Sequence, residues 1–543
     1  MRTTTRLVAA ILIWLAAGIV PLQAQLKTQK FQGKLVAAGE ALVKFRPGAV
    51  PGPQLRAKEN LALIQSVGGT GTYLLRSKSK GAAALVGSLR QRSDVLYAEP
   101  NYVLEIQTIP NDELFGEQWP LWNTGQTVLG LTGTPGADIG TSNAWELSSG
   151  NRDHVVAVLD TGVDQSHPDL VNNLWSAPGS FAVTLGGRTL ECAAGTHGFN
   201  IIKRTCDPSD DNQHGTQMAG IIGAEGNNVI GISGVNWIAS MMPVKFLDAR
   251  GTGTTSNAID AVEFAVQAKA TGLANVRVIA AGWGDHVFSR ALMEAVERAY
   301  MYDILFVTPA GNTGSNNDVD PVYPASFALP NVISTAATGN QDTLYIQSNY
   351  GANSVHLGAP GAFLLSTIPG DYGYGTGSSL AAAHVAGAAA LVLSFCRDLG
   401  TADLRDMLLV NVQPLPWLVG KVSARGRLSA EHALGACDRP GFKLSTAAVS
   451  FSVVRGDTVS LAVQVDPIAG YVGDVTMEIE GLPAGASASY LPAIVSTPGS
   501  ATLTITTGDS VAVGTYLLTL RGKDSSNTVR TTPVWLEVLR RRR

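Results

Sequence analysis

Thr376-Gly377-Ser378-Ser379-Leu380-Ala381-Ala382-Ala383-His384-Val385-Ala386-Gly387 is the stretch on which the reading of this chain turns. A small-residue turn opens a segment rich in Ala, Leu and Val, with no Pro and no charge from Leu380 to Phe395. Ala and Leu favour helix, and a helix apolar all round belongs inside a large core. The run is too short, and interrupted by His384, to read as a membrane span. Ser379 falls at the helix entrance, where free backbone N–H groups and the positive dipole end favour developing negative charge. Taken alone, the stretch is explained as well by a serine that merely caps a core helix. Two motifs upstream tip that balance.

A chain of 543 residues should hold more than one domain, one of them large enough for a sizeable core. Charged residues make up 15% and the formal net charge is −4, so nothing points to nucleic acid or another polyanion as partner. The basic tail Arg540 to Arg543 reads as a solvated end. Residues 1–24 read as an export signal: Arg2 and Arg6, an apolar run from Leu7 to Val20, then Pro21-Leu22-Gln23-Ala24 as a cleavage site. The run is short for an anchor, and no second one is long enough to span a bilayer, so the mature protein is expected to be soluble and outside the cytoplasm. Four cysteines permit three pairings. Nearest-neighbour disulfides, Cys192 with Cys206 and Cys396 with Cys437, are preferred over a metal site, because neither pair has the short spacing zinc favours.

From Glu40 the residues Ala41, Val43 and Phe45 alternate like a strand, and Pro47 ends it. A helix is predicted around Leu55 to Val67, a strand near Thr72 to Leu75, a helix from Ala82 to Arg90 and a strand from Val95 to Ala98. That β-α-β-β-α-β-like order describes a small α+β, ferredoxin-like unit within residues 25–109. Residues 110–438 alternate short apolar strands with helices. His154 to Leu159, Met241 to Phe246, Val276 to Ala280, Ile304 to Val307 and Val332 to Thr335 are the strand candidates; Ala258 to Ala270 and Ala291 to Tyr300 are helical. The pattern predicts an α/β fold, a parallel sheet with helices on both faces and its chemistry at the strands' carboxyl ends. Asp160 and the turn Ala310-Gly311-Asn312 lie at such ends. Residues 439–543 change texture to period-two strands such as Val459/Leu461/Val463/Val465, about seven in all, which read as an all-β, immunoglobulin-like sandwich without a catalytic constellation.

Three motifs stand in chain order: Asp160-Thr161-Gly162, His214-Gly215-Thr216 and Gly377-Ser378-Ser379-Leu380-Ala381. A serine hydroxyl is a poor nucleophile until a base takes its proton, and histidine titrates near neutrality. A buried carboxylate then orients the imidazole and stabilises its charged form. At these residues the chain resembles the subtilisin-like serine peptidases, the subtilases, over about residues 110–438. The resemblance implies Ser379 as nucleophile, His214 as general base and then acid, Asp160 as its orienter, and polypeptides as substrates. It supplies an oxyanion-hole amide, here Asn312 in Phe306-Val307-Thr308-Pro309-Ala310-Gly311-Asn312, and it casts the segment 25–109 as an inhibitory propeptide, the likeness running over residues 35–105 and ending at Tyr97-Ala98-Glu99-Pro100-Asn101-Tyr102. Bound peptide would pair with Gly282-Trp283-Gly284, with Ala310 and Gly311 adjoining.

His167-Pro168-Asp169-Leu170 and Gly226-Asn227-Asn228-Val229-Ile230-Gly231-Ile232 resemble the family's calcium loop. Asp169 and Asn228 would give side-chain oxygens to a structural Ca2+, which no chemical step needs; two Asx-stabilised turns are the competing reading. Asp207, Asp210 and Asp211 read as a solvated loop, with a second cation site as the competing reading. The chain departs from the family in several places. Gln217 stands where a second histidine is usual, Gly282-Trp283-Gly284 replaces Ser-Leu-Gly, Ser378 replaces Thr, and Ala382-Ala383 replaces Thr-Pro. The bulk of Trp283 puts the usual subsite shapes in question, and His384 reads as a satisfied core residue. The expectation is an exported, monomeric serine endopeptidase made as a zymogen. Its rivals are a catalytically inactive subtilase scaffold that binds through the sandwich, and a hydrolase of esters or amides.

Overall fold

The computed structural model describes residues 27–541, apart from 32–33, 70, 104–108, 397–398, 438–440, 447, 449, 469–470 and 527. The expected export signal, residues 1–24, lies outside them. The chain divides into two compact units, Met1–Ile106 and Gln107–Arg543.

In the first unit the strands Lys34–Phe45, Leu61–Val67, Thr72–Ser77 and Val95–Tyr102 form an antiparallel sheet, with Thr28–Phe31 added beside Lys34–Phe45. The helix Ala82–Arg90 covers it with buried Leu85, Val86 and Leu89. The helix predicted over Leu55 to Val67 is corrected: it spans only Pro53–Lys58. Asn60 adopts φ 49°, which ends the helix, and Leu61–Val67 then runs as a strand hairpinned to Thr72–Ser77. The β-α-β-β-α-β order holds because that strand supplies its second β.

The second unit is built on a nine-stranded sheet in the order Phe199–Asn200, Met241–Lys245, Val155–Asp160, Val276–Ala281, Leu305–Pro309, Val332–Thr338, Leu357–Pro360, Gly426–Arg427, Gln413–Pro414. All neighbours are parallel except the last pair. Along Val155–Asp160 the β-branched run feeds two cores in alternation. Val156 and Val158 join the layer that holds the serine-bearing helix, while Val155, Ala157 and Leu159 face the helices Thr255–Ala270 and Arg290–Met301. From Val155–Asp160 the chain goes first to one side of the sheet and then to the other, so Asp160 ends the strand at the topological switch point.

Ser378–Phe395 is one helix, 89% buried, and Leu380, Val385, Leu391 and Val392 have no more than 2% exposure. It is long and apolar enough to cross a membrane, yet burial in the protein makes it a core helix. Burial of each such side chain contributes about 1.5–3 kcal/mol. The disulfides are those preferred from sequence, Cys192–Cys206 and Cys396–Cys437. The second ties the exit of this helix to the end of the α/β layer.

Beyond it, two sheets of four and five strands enclose Phe442, Val463, Leu503, Leu518 and Leu536. Among the described residues these are nine strands where about seven are predicted: Ile494–Ser496 is only three residues long, and Ala486–Leu491 alternates Ala with Ser instead of large apolar residues. The sandwich meets the helix Thr401–Val410 through Val529–Leu539, with Arg530 Nε 3.7 Å from Asp403 Oδ1. Burial pushes the Asp403 carboxyl up to about 7 against the pull of Arg530. The folded protein therefore keeps a proton that the unfolded chain gives up above pH 4. Stability from this group is present at acid pH and is lost as pH rises towards 7, by up to about 4 kcal/mol. Asp403→Asn should flatten the fall in melting temperature between pH 4 and 7 and raise it at pH 8. An unchanged slope would assign that fall to other groups.

Candidate active site

The ends of three elements meet at one edge of the sheet. His214 opens the helix His214–Gly223, Ser379 stands in the first turn of Ser378–Phe395, and Asp160 closes its strand. Ser379 Oγ lies 2.9 Å from His214 Nε2, and His214 Nδ1 lies 2.8 Å from Asp160 Oδ1. A carboxylate only accepts, so Nδ1 carries the proton and Nε2 is left to accept from the serine. Asp160 is fully buried, and its Oδ1 also accepts the Thr161 N–H at 2.8 Å. Burial works against a charged His214, but the charge and hydrogen bond of Asp160 outweigh it, with Asp210 adding, so the imidazole is held above its ordinary value.

The motif glycines have a packing reason. A Cβ on Gly215 would stand 2.0 Å from the Gly162 carbonyl oxygen, so the histidine helix approaches the acid's strand only without one. Asp210 was read as part of a solvated loop, and that reading is corrected. Its carboxylate accepts the N–H of Asn212, Gln213 and Thr216 and the Thr216 hydroxyl, which caps the histidine helix. It also holds Gln213 at φ 117°, a costly conformation directly before His214. Asp211 pairs with Lys245, and Asp207 accepts from Ser209 and Gln165.

Asn312 Oδ1 accepts from the Ser378 N–H at 2.8 Å and from its hydroxyl at 3.0 Å. That turns the amide nitrogen outward. A Cβ built on Gly377 would lie 3.2 Å from Ser379 Oγ and 3.4 Å from Asn312 Nδ2, so the serine oxygen and the amide nitrogen lie close together beside Gly377. Ser378 Oγ also accepts the Gly311 N–H at 3.1 Å, and its one proton is shared between Asn312 Oδ1 and the Gly311 carbonyl at 3.0 Å, which locks the 310–312 turn to the helix entrance.

A groove of about 410 Å³ runs from His214 past Gly282, Trp283, Gly284, Gly311 and Asn312. Trp283 does not fill it. Its indole N–H donates to the Leu159 carbonyl at 3.1 Å, and its ring packs edge-to-face on Phe246, so it forms a wall. Ala310 is fully buried beneath the groove with its carbonyl taken by Asn317. Gln217 is buried, with its amide beside Gly375. His384 is buried and neutral, pushed down to about 4 by desolvation, with its ring nitrogen 3.0 Å from the Leu380 carbonyl.

Asp169 and Asn228 are brought together, Asn228 Nδ2 donating to Asp169 Oδ1 at 2.9 Å. Asp169 Oδ2 accepts from the Ile232 N–H and the Tyr372 hydroxyl. Asp112, which the sequence reading did not single out, accepts the N–H of Asn227 and Asn228. Burial raises both carboxyls, and Asp169 adds to the shift of Asp112; among the described residues neither has a Lys or Arg partner. The two carboxylates and the amide oxygen are hard donors of the kind Ca2+ takes.

A doubly wound sheet with a serine and a histidine at two helix starts and an acid at its switch point defines a serine hydrolase of the α/β class. The profile of the subtilase family matches residues 151–436, and the chain belongs to that family. It is 34% identical over 370 residues to a thermophilic serine proteinase of Bacillus sp. (strain AK1), covering 66% of this chain and 79% of that protein. It is 32% identical to thermitase of Thermoactinomyces vulgaris, over 54% of this chain and 91% of the relative. It is also 32% identical to a cell wall-associated protease of Bacillus subtilis (strain 168), over 62% of this chain but only 34% of the relative. The protein is a serine-type endopeptidase of the subtilisin-like kind, and its substrates are polypeptides.

Proposed function

We propose that this endopeptidase is exported as a zymogen and cleaves peptide bonds through an acyl-enzyme on Ser379. The observation that carries the reading is the unbroken relay of 2.9 Å and 2.8 Å from Ser379 Oγ through His214 to Asp160. Ser379 Oγ attacks the scissile carbonyl as its proton passes to His214 Nε2, and Asp160 stabilises the resulting imidazolium. The oxyanion would form between Asn312 Nδ2 and the Ser379 N–H, which lies in the first turn of the helix where backbone donors lack an intrahelical partner. His214 then protonates the leaving amine, and water regenerates the serine by the reverse sequence. Gly282, Trp283 and Gly284 offer backbone to an extended substrate, with Gly311 at the turn and Ala310 supporting it from below.

Removing one oxyanion donor costs about 10²–10³ in turnover. Asn312→Ala should lower kcat by that factor and leave KM within about twofold, as steady-state peptide kinetics will read. A fall confined to binding would remove Asn312 from the transition state. Casein set against small acyl esters tests the class of substrate: the account expects efficient casein cleavage, and activity on esters alone contradicts it.

The first compact unit, with its own core and with Glu99-Pro100-Asn101-Tyr102 near its end, supports the propeptide reading. Two disulfides and the cell wall-associated relative support export to a secreted or envelope location. The mature enzyme is proposed to act as a monomer. Asp169 and Asn228, with Asp112, are proposed to hold a structural Ca2+. Millimolar EGTA should then lower the melting temperature and added Ca2+ restore it; a melting curve indifferent to both leaves only hydrogen-bonded turns.

A further inference from the structure

Lys245 is a buried ammonium that the mechanism above does not use. Its side chain is 2% exposed, and it sits in the strand beside Asp160, as that residue's register partner. Nζ donates three hydrogen bonds: to the Thr161 carbonyl at 2.5 Å, to Asp211 Oδ1 at 2.6 Å and to the Leu247 carbonyl at 2.9 Å. An ammonium has three protons, so all are engaged.

Each acceptor belongs to a different part of the site. Thr161 gives its N–H to Asp160 Oδ1 at 2.8 Å, and its hydroxyl accepts the Gly215 N–H at 2.9 Å. It thus holds both the catalytic carboxylate and the first turn of the histidine helix. Asp211 precedes His214 on the loop that Asp210 caps. Leu247 is a wall of the substrate groove. We propose that Lys245 is a positioning residue of the peptidase site, clamping the acid's strand end, the loop that delivers His214 and the groove wall in one arrangement.

A buried ion with a single charged partner costs desolvation energy, which only close geometry and full hydrogen bonding repay. Lys245 meets both conditions. Its one ionic partner among the described residues, Asp211, is 44% exposed, so the clamp is anchored at the surface. A lysine used only for stability would be replaceable by an apolar chain of equal length without touching the chemistry.

The inference rests on the assignment of Asp160, His214 and Ser379, and its test separates the two. Lys245→Met keeps the length and removes all three donors. Asp211→Asn leaves the lysine but weakens the anchor. Both are made in the full chain, with competent sites counted by fluorophosphonate titration, so that kcat is per working site. Lys245→Met is expected to lower kcat per site at least tenfold. The acid limb of its pH–rate profile should move to lower pH, because a loosened Asp160 no longer holds the imidazole above its ordinary value. Asp211→Asn should move both in the same direction by about threefold and a smaller shift, and it decides the matter if Lys245→Met does not fold. A lower melting temperature with unchanged kcat per site and an unmoved acid limb, in whichever variants fold, overturns the proposal. Should the wild-type protein itself fail to label, the triad assignment falls instead.

Discussion

Ser379→Ala is expected to lower peptide hydrolysis about 10⁶-fold, because nucleophile, base and acid act as one unit and losing one costs nearly as much as losing all. Nothing in the fold should change. The substitution deletes one oxygen from a helix entrance and introduces the strongest helix former. Asn312 Nδ2 and the backbone N–H at position 379 remain, so a residual enhancement of about 10³–10⁴ over water should survive from them and from substrate binding. Under the zymogen reading the variant also keeps its first compact unit covalently attached, visible as an unprocessed band. Wild-type turnover or normal processing in this variant would show that another group is the nucleophile.

Gly282→Ala should lower kcat about 100-fold with little change in KM. A Cβ there would stand 2.4 Å from Asp160 Oδ2 and 2.8 Å from His214 Cε1, both far inside contact distance. Asp160 cannot retreat. It is fully buried at the end of a central strand, with Oδ1 committed to His214 and Thr161. The new methyl must push the carboxylate or the ring off line, and a displacement of about 1 Å costs on the order of 10² in rate. The subtilases that this chain resembles usually carry Ser at this position, so the need for glycine follows from how closely this backbone approaches its own acid. Steady-state kinetics with fluorophosphonate labelling rates decide the point. If KM rises while kcat and labelling hold, Gly282 acts only by pairing with substrate.

Much of this was legible in the sequence because it rests on local rules. The run from Val155 to Leu159 reads as a buried parallel strand, and an acid at its end falls where doubly wound sheets place chemistry. The glycines after Asp160 and His214 mark a close approach, which the 2.0 Å clash at Gly215 explains. What stayed hidden depends on contacts between distant segments. Lys245 is one lysine in a hydrophobic strand until Thr161, Asp211 and Leu247 converge on its ammonium. Asp112 gains its place only when the start of the second unit meets the loop at Asn227 and Asn228. The reversed expectation at Leu61–Val67 has a local cause: apolar residues without clear period two resemble a helix until Asn60 turns left-handed. The hairpin Leu364–Ile368 with Asp371–Gly375 also escaped, since its buried strand is held from outside by Ser366 and Thr367 bonding to Gln217 and Thr216 carbonyls.

The most direct measurement is to label the mature protein with a fluorophosphonate, digest it, and locate the adduct by mass spectrometry. A single phosphonyl group on Ser379, suppressed when the label is added at a pH low enough to protonate His214, is the predicted result. An adduct on any other residue, or none from a preparation that still degrades casein, would contradict the account.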